Sequence, residues 1–327
     1  MKFLAQAAAS LALLGSLATS SPVVSRAAAG PQSTLQQVTD LYPDPSGKAK
    51  MYVYVPEKLA PKPAVIVAIH YCAGTAEAYF TGSPYAQLAD DKGFVVIYPE
   101  SPHDGTCWDV SSRESLTHNG GSDSASIASM VAYALKKYGG DASKVFVTGS
   151  SSGAMMTVST YFPTAFACDS PADNCFQKNV MAATYPELFQ AAIVYSGVAA
   201  GCFVSTAGLV DAWNSTCSQG QSHATATQWA NVVHDIYPGY AGARPRMQIY
   251  HGSADAALLP PNYNETIKQW SGVFGLDADK PAEVKSEFPL AGYTTTTWSE
   301  DLQGIYALGV GHTVPIRGED DMAFFGL

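Results

Sequence analysis

The chain has 327 residues, a formal net charge of −10, and charged side chains at only 14% of positions. Average domains carry about 25% charged residues. An acidic chain without a basic run is a poor binder of polyanions, so nucleic acid is excluded as an expected partner and a neutral substrate is favoured. The chain opens Met1-Lys2 and runs mainly apolar from Phe3 to Ala18. This is the pattern of a secretory signal peptide, too short to span a membrane. Cleavage is expected after Ser20, at the end of a 1–20 leader, with further trimming toward residue 30. No later stretch approaches the roughly 18 apolar residues of a spanning helix. A soluble, extracellular, monomeric mature protein is therefore expected, with no membrane partner. The rest, from residue 31 to 327, is long enough to bury one large α/β core as a single domain.

In chain order, residues 51–56 (MYVYVP) alternate and predict an edge strand ending at proline. Residues 64–70 (AVIVAIH) and 94–99 (FVVIYP) are continuous apolar runs, as in strands buried on both faces. Between them, 84–92 predicts a helix stopped by Gly93. Over 122–138, Ile127, Met130, Val131, Ala134, Leu135 and Tyr138 recur at helical spacing. Ser122 or Ser124 is the expected cap, and Gly139-Gly140 the stop. A strand at 144–148 follows. Residues 191–196 and 246–251 predict two more strands, 226–236 and 263–274 helices, and 304–309 a last strand. Strands alternating with helices indicate a mostly parallel sheet covered by helices on both faces.

Between the 144–148 strand and the helix formers after it lies Gly149-Ser-Ser151-Ser-Gly153. This is the G-x-S-x-G pattern of a nucleophile elbow, in which a strained strand-to-helix turn lifts a serine hydroxyl out of the sheet. A serine hydroxyl is a weak nucleophile until a base takes its proton. Seven histidines compete for that role, at 70, 103, 118, 223, 234, 251 and 312. His312 follows the last predicted strand, where an α/β-hydrolase places its base in the order Ser, Asp/Glu, His. Asp255, just beyond the 246–251 strand, is the expected acid, because catalytic groups in open α/β sheets collect beyond the carboxyl ends of strands. Asp211 and Asp301 are weaker rivals. The oxyanion hole requires two backbone donors. Ser152, directly after the nucleophile, supplies one. The loop after the 64–70 strand supplies the other, with Cys72 the expected donor and Tyr71 the reserve.

Six cysteines in a secreted chain predict disulfides. Their connectivity is not readable from sequence, since six allow 15 pairings. The preferred set is Cys72–Cys107, Cys168–Cys175 and Cys202–Cys217. Cysteine and histidine spacings match no zinc site, so no metal is expected. Asn214-Ser-Thr and Asn264-Glu-Thr are acceptors for N-glycosylation.

The stretches HYCAGTAEAYF (70–80), CWDVSSRESLTHNGGSDSASI (107–127), VTGSSSGAMMT (147–157), AATYPELF (182–189), YSGVAAGCF (195–203), RPRMQIYHGSAD (244–255) and GVGHTVPI (309–316) resemble carbohydrate esterase family 1 over nearly the whole mature chain. The likeness is strongest to its fungal secreted acetylxylan esterases. Feruloyl esterases and polyhydroxybutyrate-depolymerase-like relatives come after. The resemblance implies an α/β-hydrolase fold, hydrolysis of O-acetyl esters of xylan through an acyl-enzyme, no cofactor, and acetylated xylan or xylo-oligosaccharide as substrate. It puts nucleophile, acid and base on Ser151, Asp255 and His312. It also implies that Trp108 flanks the cleft, where an aromatic face packs on a sugar ring, and leaves His118 as a structural histidine. Two alternatives stand beside it: a feruloyl esterase on the same fold, and a catalytically silent carbohydrate-binding protein.

Residues 158–178 depart from the family. Pro163 and Pro171 cannot sit inside the helix that Gly153-Ala-Met-Met-Thr157 begins, whereas joining Thr157 to Asn179 restores one uninterrupted helix. Two readings stand open, a lid stapled by Cys168–Cys175 or a translated intron, and transcript sequencing decides between them.

Overall fold

The computed structural model describes residues 34–40, 48–158, 181–210 and 212–327. The leader, Cys168, Cys175, Asp211 and all but the first residue of the 158–178 segment lie outside them. The strands are β1 (Gln36–Gln37), β2 (Lys50–Tyr54), β3 (Val65–Ile69), β4 (Val95–Glu100), β5 (Val145–Ser150), β6 (Ala191–Tyr195), β7 (Arg246–Gly252), β8 (Glu283–Ser286), β9 (Tyr293–Ser299) and β10 (Leu302–Ala307). They form one sheet in the order β1-β2-β4-β3-β5-β6-β7-β10-β9-β8. From β4 through β10 neighbours run parallel, and antiparallel pairs close both ends.

Alternation along the central strands divides the interior in two. In β3, Val65, Val67 and Ile69 enter one core, and Ile66 and Ala68 the other. Helices α3 (Ser122–Tyr138), α4 (Ser152–Val158), α5 (Met181–Thr184), α7 (Ala226–Ile236) and α8 (Pro261–Val273) cover the first face; a short α6 (Ser215–Ser218) leads into α7. Helices α1 (Ala76–Gly82), α2 (Tyr85–Lys92) and α9 (Gly318–Phe325) cover the second. Because helices lie on both sides, β3 and β6 are buried at every residue, as their unbroken apolar runs require.

Three expectations need correction. β2 is not an edge strand, because β1 pairs outside it. Its alternation reports one half-solvated face, which an inner strand under a thin cover also has. Neither Ser122 nor Ser124 caps α3. The N-cap is Gly121, and the two hydroxyls turn instead to Asp109 Oδ2 and the Ser115 carbonyl. β8 and β9 escaped the sequence reading because EVKS and YTTTTWS are polar. β8 is exposed at every residue, and β9 is held by pairing rather than by apolar pattern. The Gly93 and Gly139 stops are as expected. Both adopt the left-handed conformation, and their N–H groups close on Ala89 and Leu135.

The second core holds a buried acid. Asp321 accepts hydrogen bonds from Tyr195 Oη at 2.5 Å and Tyr85 Oη at 2.7 Å. Burial pushes its pKa up from 3.8 to about 7. Between those values the folded chain holds a proton that the unfolded chain has released, so this group's contribution to stability falls as pH rises from about 4 to 7. Asp321→Asn should flatten that slope. Unfolding free energies from urea titrations at pH 5 and pH 8 should lie closer together in the variant, by about 2–3 kcal/mol.

Candidate active site

β5 ends at Ser150 and α4 begins at Ser152, so Ser151 occupies the turn alone, with φ of 55°. A non-glycine residue there carries about 1–3 kcal/mol of backbone strain. Its neighbours hold it in place. Ser151 N–H donates to the Tyr195 carbonyl on β6 at 3.0 Å, and its carbonyl accepts from Met155 in α4 at 2.8 Å. The flanking glycines allow the close crossing. A Cβ on Gly149 would lie 2.3 Å from the Gly153 carbonyl oxygen, and one on Gly153 would lie 2.2 Å from that of Ile69.

Two loops from the carboxyl ends of β7 and β10 meet this turn. Asp255 lies three residues past β7 and His312 five residues past β10. The loops are tied by Ala254 N–H to the Val310 carbonyl and by Gly309 N–H to Ser253 Oγ. Gly252 lets them approach, since a Cβ there would lie 2.2 Å from the Val310 oxygen. The His312 loop is also anchored just past the end of β6, where Ser196 Oγ accepts from Val314 N–H at 3.0 Å. The result is a relay in which His312 Nε2 is 2.7 Å from Ser151 Oγ and His312 Nδ1 is 2.7 Å from Asp255 Oδ2.

Asp255 is 1% exposed. Burial works to raise its pKa but is outweighed by the hydrogen bonds from His312 and the Leu258 N–H, so the carboxyl stays below its ordinary value. Its Oδ1 accepts from the N–H groups of Ala257 and Leu258. That leaves Oδ2 for His312 and makes Nδ1 the protonated nitrogen, so Nε2 faces Ser151 as an acceptor. His251 comes within 3.6 Å of the same oxygen, but its Nε2 donates to the Leu258 carbonyl at 2.8 Å and burial lowers its pKa. It is a neutral brace.

The loop after β3 faces Ser151 from the other side. The Cys72–Cys107 disulfide is formed, as is Cys202–Cys217. Beside the first, Ala73 N–H donates to Gly105, Thr106 Oγ1 to the Gly74 carbonyl and Trp108 Nε1 to the His70 carbonyl. His70 accepts from Ser101 N–H on Nε2 and therefore donates from Nδ1 to the Tyr71 carbonyl; burial lowers its pKa. The 107–124 segment is braced by two acids. Asp109 receives Ser111, Ser112 and Ser122, while Asp123 receives Asp109 N–H and His103. His118 meets the Thr184 carbonyl and stacks on Tyr237.

A cavity of about 70 Å³ opens beside Ser151, between Cys72, Trp108, Met155, Leu258 and His312. Trp108 is at its floor but is 0% exposed, with its N–H committed to His70. It lines the cleft as expected, but its burial leaves little ring face exposed for a sugar. The aromatic at the mouth is Trp213, 63% exposed and edge-on to Phe203. Sequence reading missed it because no motif marks it. The one available signal is its place within the Cys202–Cys217 loop. Of the glycosylation acceptors, Asn264 is exposed on α8, whereas the Asn214 amide is engaged with Cys202 and Cys217.

A serine on a strand-turn-helix elbow, joined to a histidine and a buried aspartate on this parallel sheet, places the protein in the α/β-hydrolase class. Residues 50–172 match the family model described as Esterase PHB depolymerase. The chain is 60% identical over 296 residues to the probable acetylxylan esterase A of Aspergillus terreus, covering 90% of this chain and 89% of that protein. It is 57% identical over 293 residues to acetylxylan esterase A of Aspergillus oryzae, covering 90% and 88%. The solved acetyl xylan esterase of Aspergillus awamori superposes with a TM-score of 0.82 at 56% identity, covering 90% of this chain and 99% of that one. The chain belongs to the family of these esterases, carbohydrate esterase family 1, and is a carboxylic ester hydrolase.

Proposed function

We propose that the protein is a secreted serine esterase that removes O-acetyl groups from xylan, acting as a monomer on a neutral polysaccharide without a cofactor. The observation that carries the reading is the hydrogen-bonded Ser151–His312–Asp255 set beside so small a cavity. A cavity of about 150 Å³ takes a benzene ring. The space here is about 70 Å³, which suits an acetyl group and is tight for a feruloyl one.

In this reading Ser151 Oγ attacks the acetyl carbonyl while His312 Nε2 takes its proton, and Asp255 holds the imidazole in the required tautomer. Ser152 N–H, in the first turn of α4, has no intrahelical acceptor and points to the oxyanion. In the facing loop Ala73 and Gly74 N–H donate elsewhere, which favours Cys72 as the second donor over them. His312 then protonates the departing sugar oxygen, and water activated by the same histidine clears the acetyl-enzyme. The test offers acetylated xylan and methyl ferulate to the purified protein, with Ser151→Ala as control. Preferential ferulate release would replace this reading with the feruloyl one, and no ester hydrolysis at all would sink both.

Secretion is supported by the apolar leader and by the two disulfides. Amino-terminal sequencing of the natural protein should find a start between residues 21 and 31, and thiol titration under denaturation should find no free thiol. Reactive thiols at Cys168 and Cys175 alone would exclude the stapled-lid reading of that segment.

A further inference from the structure

A second cavity lies on the sheet, and none of the residues lining it lines the Ser151 cleft. It measures about 380 Å³ and spans β7, β10 and β9 on the face shared with α9. Its floor is a ladder of neutral hydrogen-bonding side chains. Gln248 Nε2 donates to Gln303 Oε1 at 2.5 Å, and Gln303 Nε2 donates to Thr297 Oγ1 at 3.1 Å. The ladder ends on an unpaired acceptor. Gln248 is 5% exposed, and its Oε1 is buried without a partner. Exchanging the amide's oxygen and nitrogen only moves the deficit to the nitrogen. A buried amide atom without a partner costs about 1–3 kcal/mol, and a hydroxyl entering the groove beside Gln248 would offset that cost.

The walls are aromatic. Phe288 is 50% exposed, and Thr295 Oγ1 holds its loop by donating to the Phe288 carbonyl. Opposite, Phe324 is fixed by Arg246, whose guanidinium lies 4.9 Å from the ring centroid and donates to the Phe324 carbonyl at 2.8 Å. Asp320 is paired with Arg317. Glu300 adds a second carboxylate to the lining, so the fixed charge at the rim is mainly acidic, and the Gln248–Gln303–Thr297 floor is uncharged.

We infer that this groove is a second glycan-binding site, which holds a neutral pyranose chain of the substrate polymer away from the catalytic serine. Sugar hydroxyls both donate and accept, so they complete the Gln248 amide in either orientation, and the apolar faces of the rings pack on Phe288 and Phe324. An anionic ligand would meet Glu300 and Asp320 at the rim, while Arg246 is held against Phe324. The inference rests on the xylan reading above. It assigns the groove to tethering on a long substrate, so its contribution appears on polymer and not on a short ester.

The test uses the full chain carrying Ser151→Ala, with unsubstituted xylohexaose as probe, and follows hydrogen–deuterium exchange. Protection should appear in two places: around the Ser151 cleft and across residues 288–303. Adding Phe288→Ala or Gln303→Ala should remove the second protection and leave the first. Affinity electrophoresis in xylan gels should show at least a five-fold weaker retardation. The thermal midpoint of each variant reports whether it has folded, and Thr297→Val serves as a milder change should Gln303→Ala unfold. Protection confined to the cleft overturns the inference. So does protection of 288–303 that grows with protein concentration in the absence of glycan, which would make this face a contact between copies. Hydrolysis of acetylated xylan by the unmutated protein is measured alongside. Its loss with groove protection intact would sink the esterase reading and not the groove, and hydrolysis without groove protection would sink the groove alone.

Discussion

Ser151→Ala should remove nearly all ester turnover and leave only the residual acceleration of the oxyanion donors, about 10³–10⁴-fold over water in comparable triads. His312→Ala should fall to a similar level, because His312 is the proposed base and its Nε2 lies 2.7 Å from Ser151 Oγ. The two losses should not add. Once either group is gone, the other has nothing to act on. The double variant should therefore match the singles within a few-fold. The measurement is single-turnover hydrolysis of an aryl acetate by purified protein, with the thermal midpoint as the check on folding. Removing the Ser151 hydroxyl leaves the elbow's backbone bonds to Tyr195 and Met155 in place, so a large change in midpoint is not expected. A Ser151→Ala protein that retained a tenth of the activity would exclude Ser151 as nucleophile.

Asp255→Asn should lower turnover by about 10⁴-fold, as loss of tautomer control does in such a triad. The local geometry makes the direction unusually clear. Oδ1 of Asp255 accepts two backbone N–H groups, from Ala257 and Leu258. An asparagine must keep its carbonyl oxygen there, because an NH₂ group cannot accept. Its NH₂ then faces His312 Nδ1, which must turn acceptor, and the ring proton moves to Nε2, toward Ser151. The histidine can no longer take the serine's proton. His251 does not rescue the reaction, since its Nε2 is committed to the Leu258 carbonyl. A pH–rate profile separates this from simple misfolding. Activity in the variant should recover partially at alkaline pH, where hydroxide substitutes for the missing base. Wild-type rates in Asp255→Asn at neutral pH would show that the acid has been assigned to the wrong residue.

The class of fold was legible because the central strands are buried on both faces. Continuous apolar runs at 64–70, 94–99 and 191–196 admit few other placements, and Gly93 and Gly139 mark helix ends by backbone conformation alone. The outer strands were not legible. β8 and β9 are polar, and only pairing with β10 makes them strands. The three candidate catalytic residues were legible for a related reason. Each sits just beyond a buried strand or on its turn, so chain order and strand positions together located them.

Local sequence determined the elbow and the candidate acid and base, because each depends on neighbours within a few positions or on an apolar period; the disulfide pairings Cys72–Cys107 and Cys202–Cys217 were a preference among many, and the fold brings those cysteines together across 35 and 15 residues. What only the tertiary structure decided is what those residues face. Trp108 and Trp213 are indistinguishable as letters, yet one is a sealed floor and the other an open rim. His251 and His312 both approach Asp255, and only the bond to Leu258 makes the first a brace. Asp321 becomes a buried acid only because two tyrosines from distant segments close over it. The register of β7 against β10 sets Gln248 opposite Gln303, which takes its amide nitrogen and leaves Oε1 without a partner. Burial and hydrogen-bond partnership are properties of packed neighbours far apart in the chain, and no local pattern of residues encodes them.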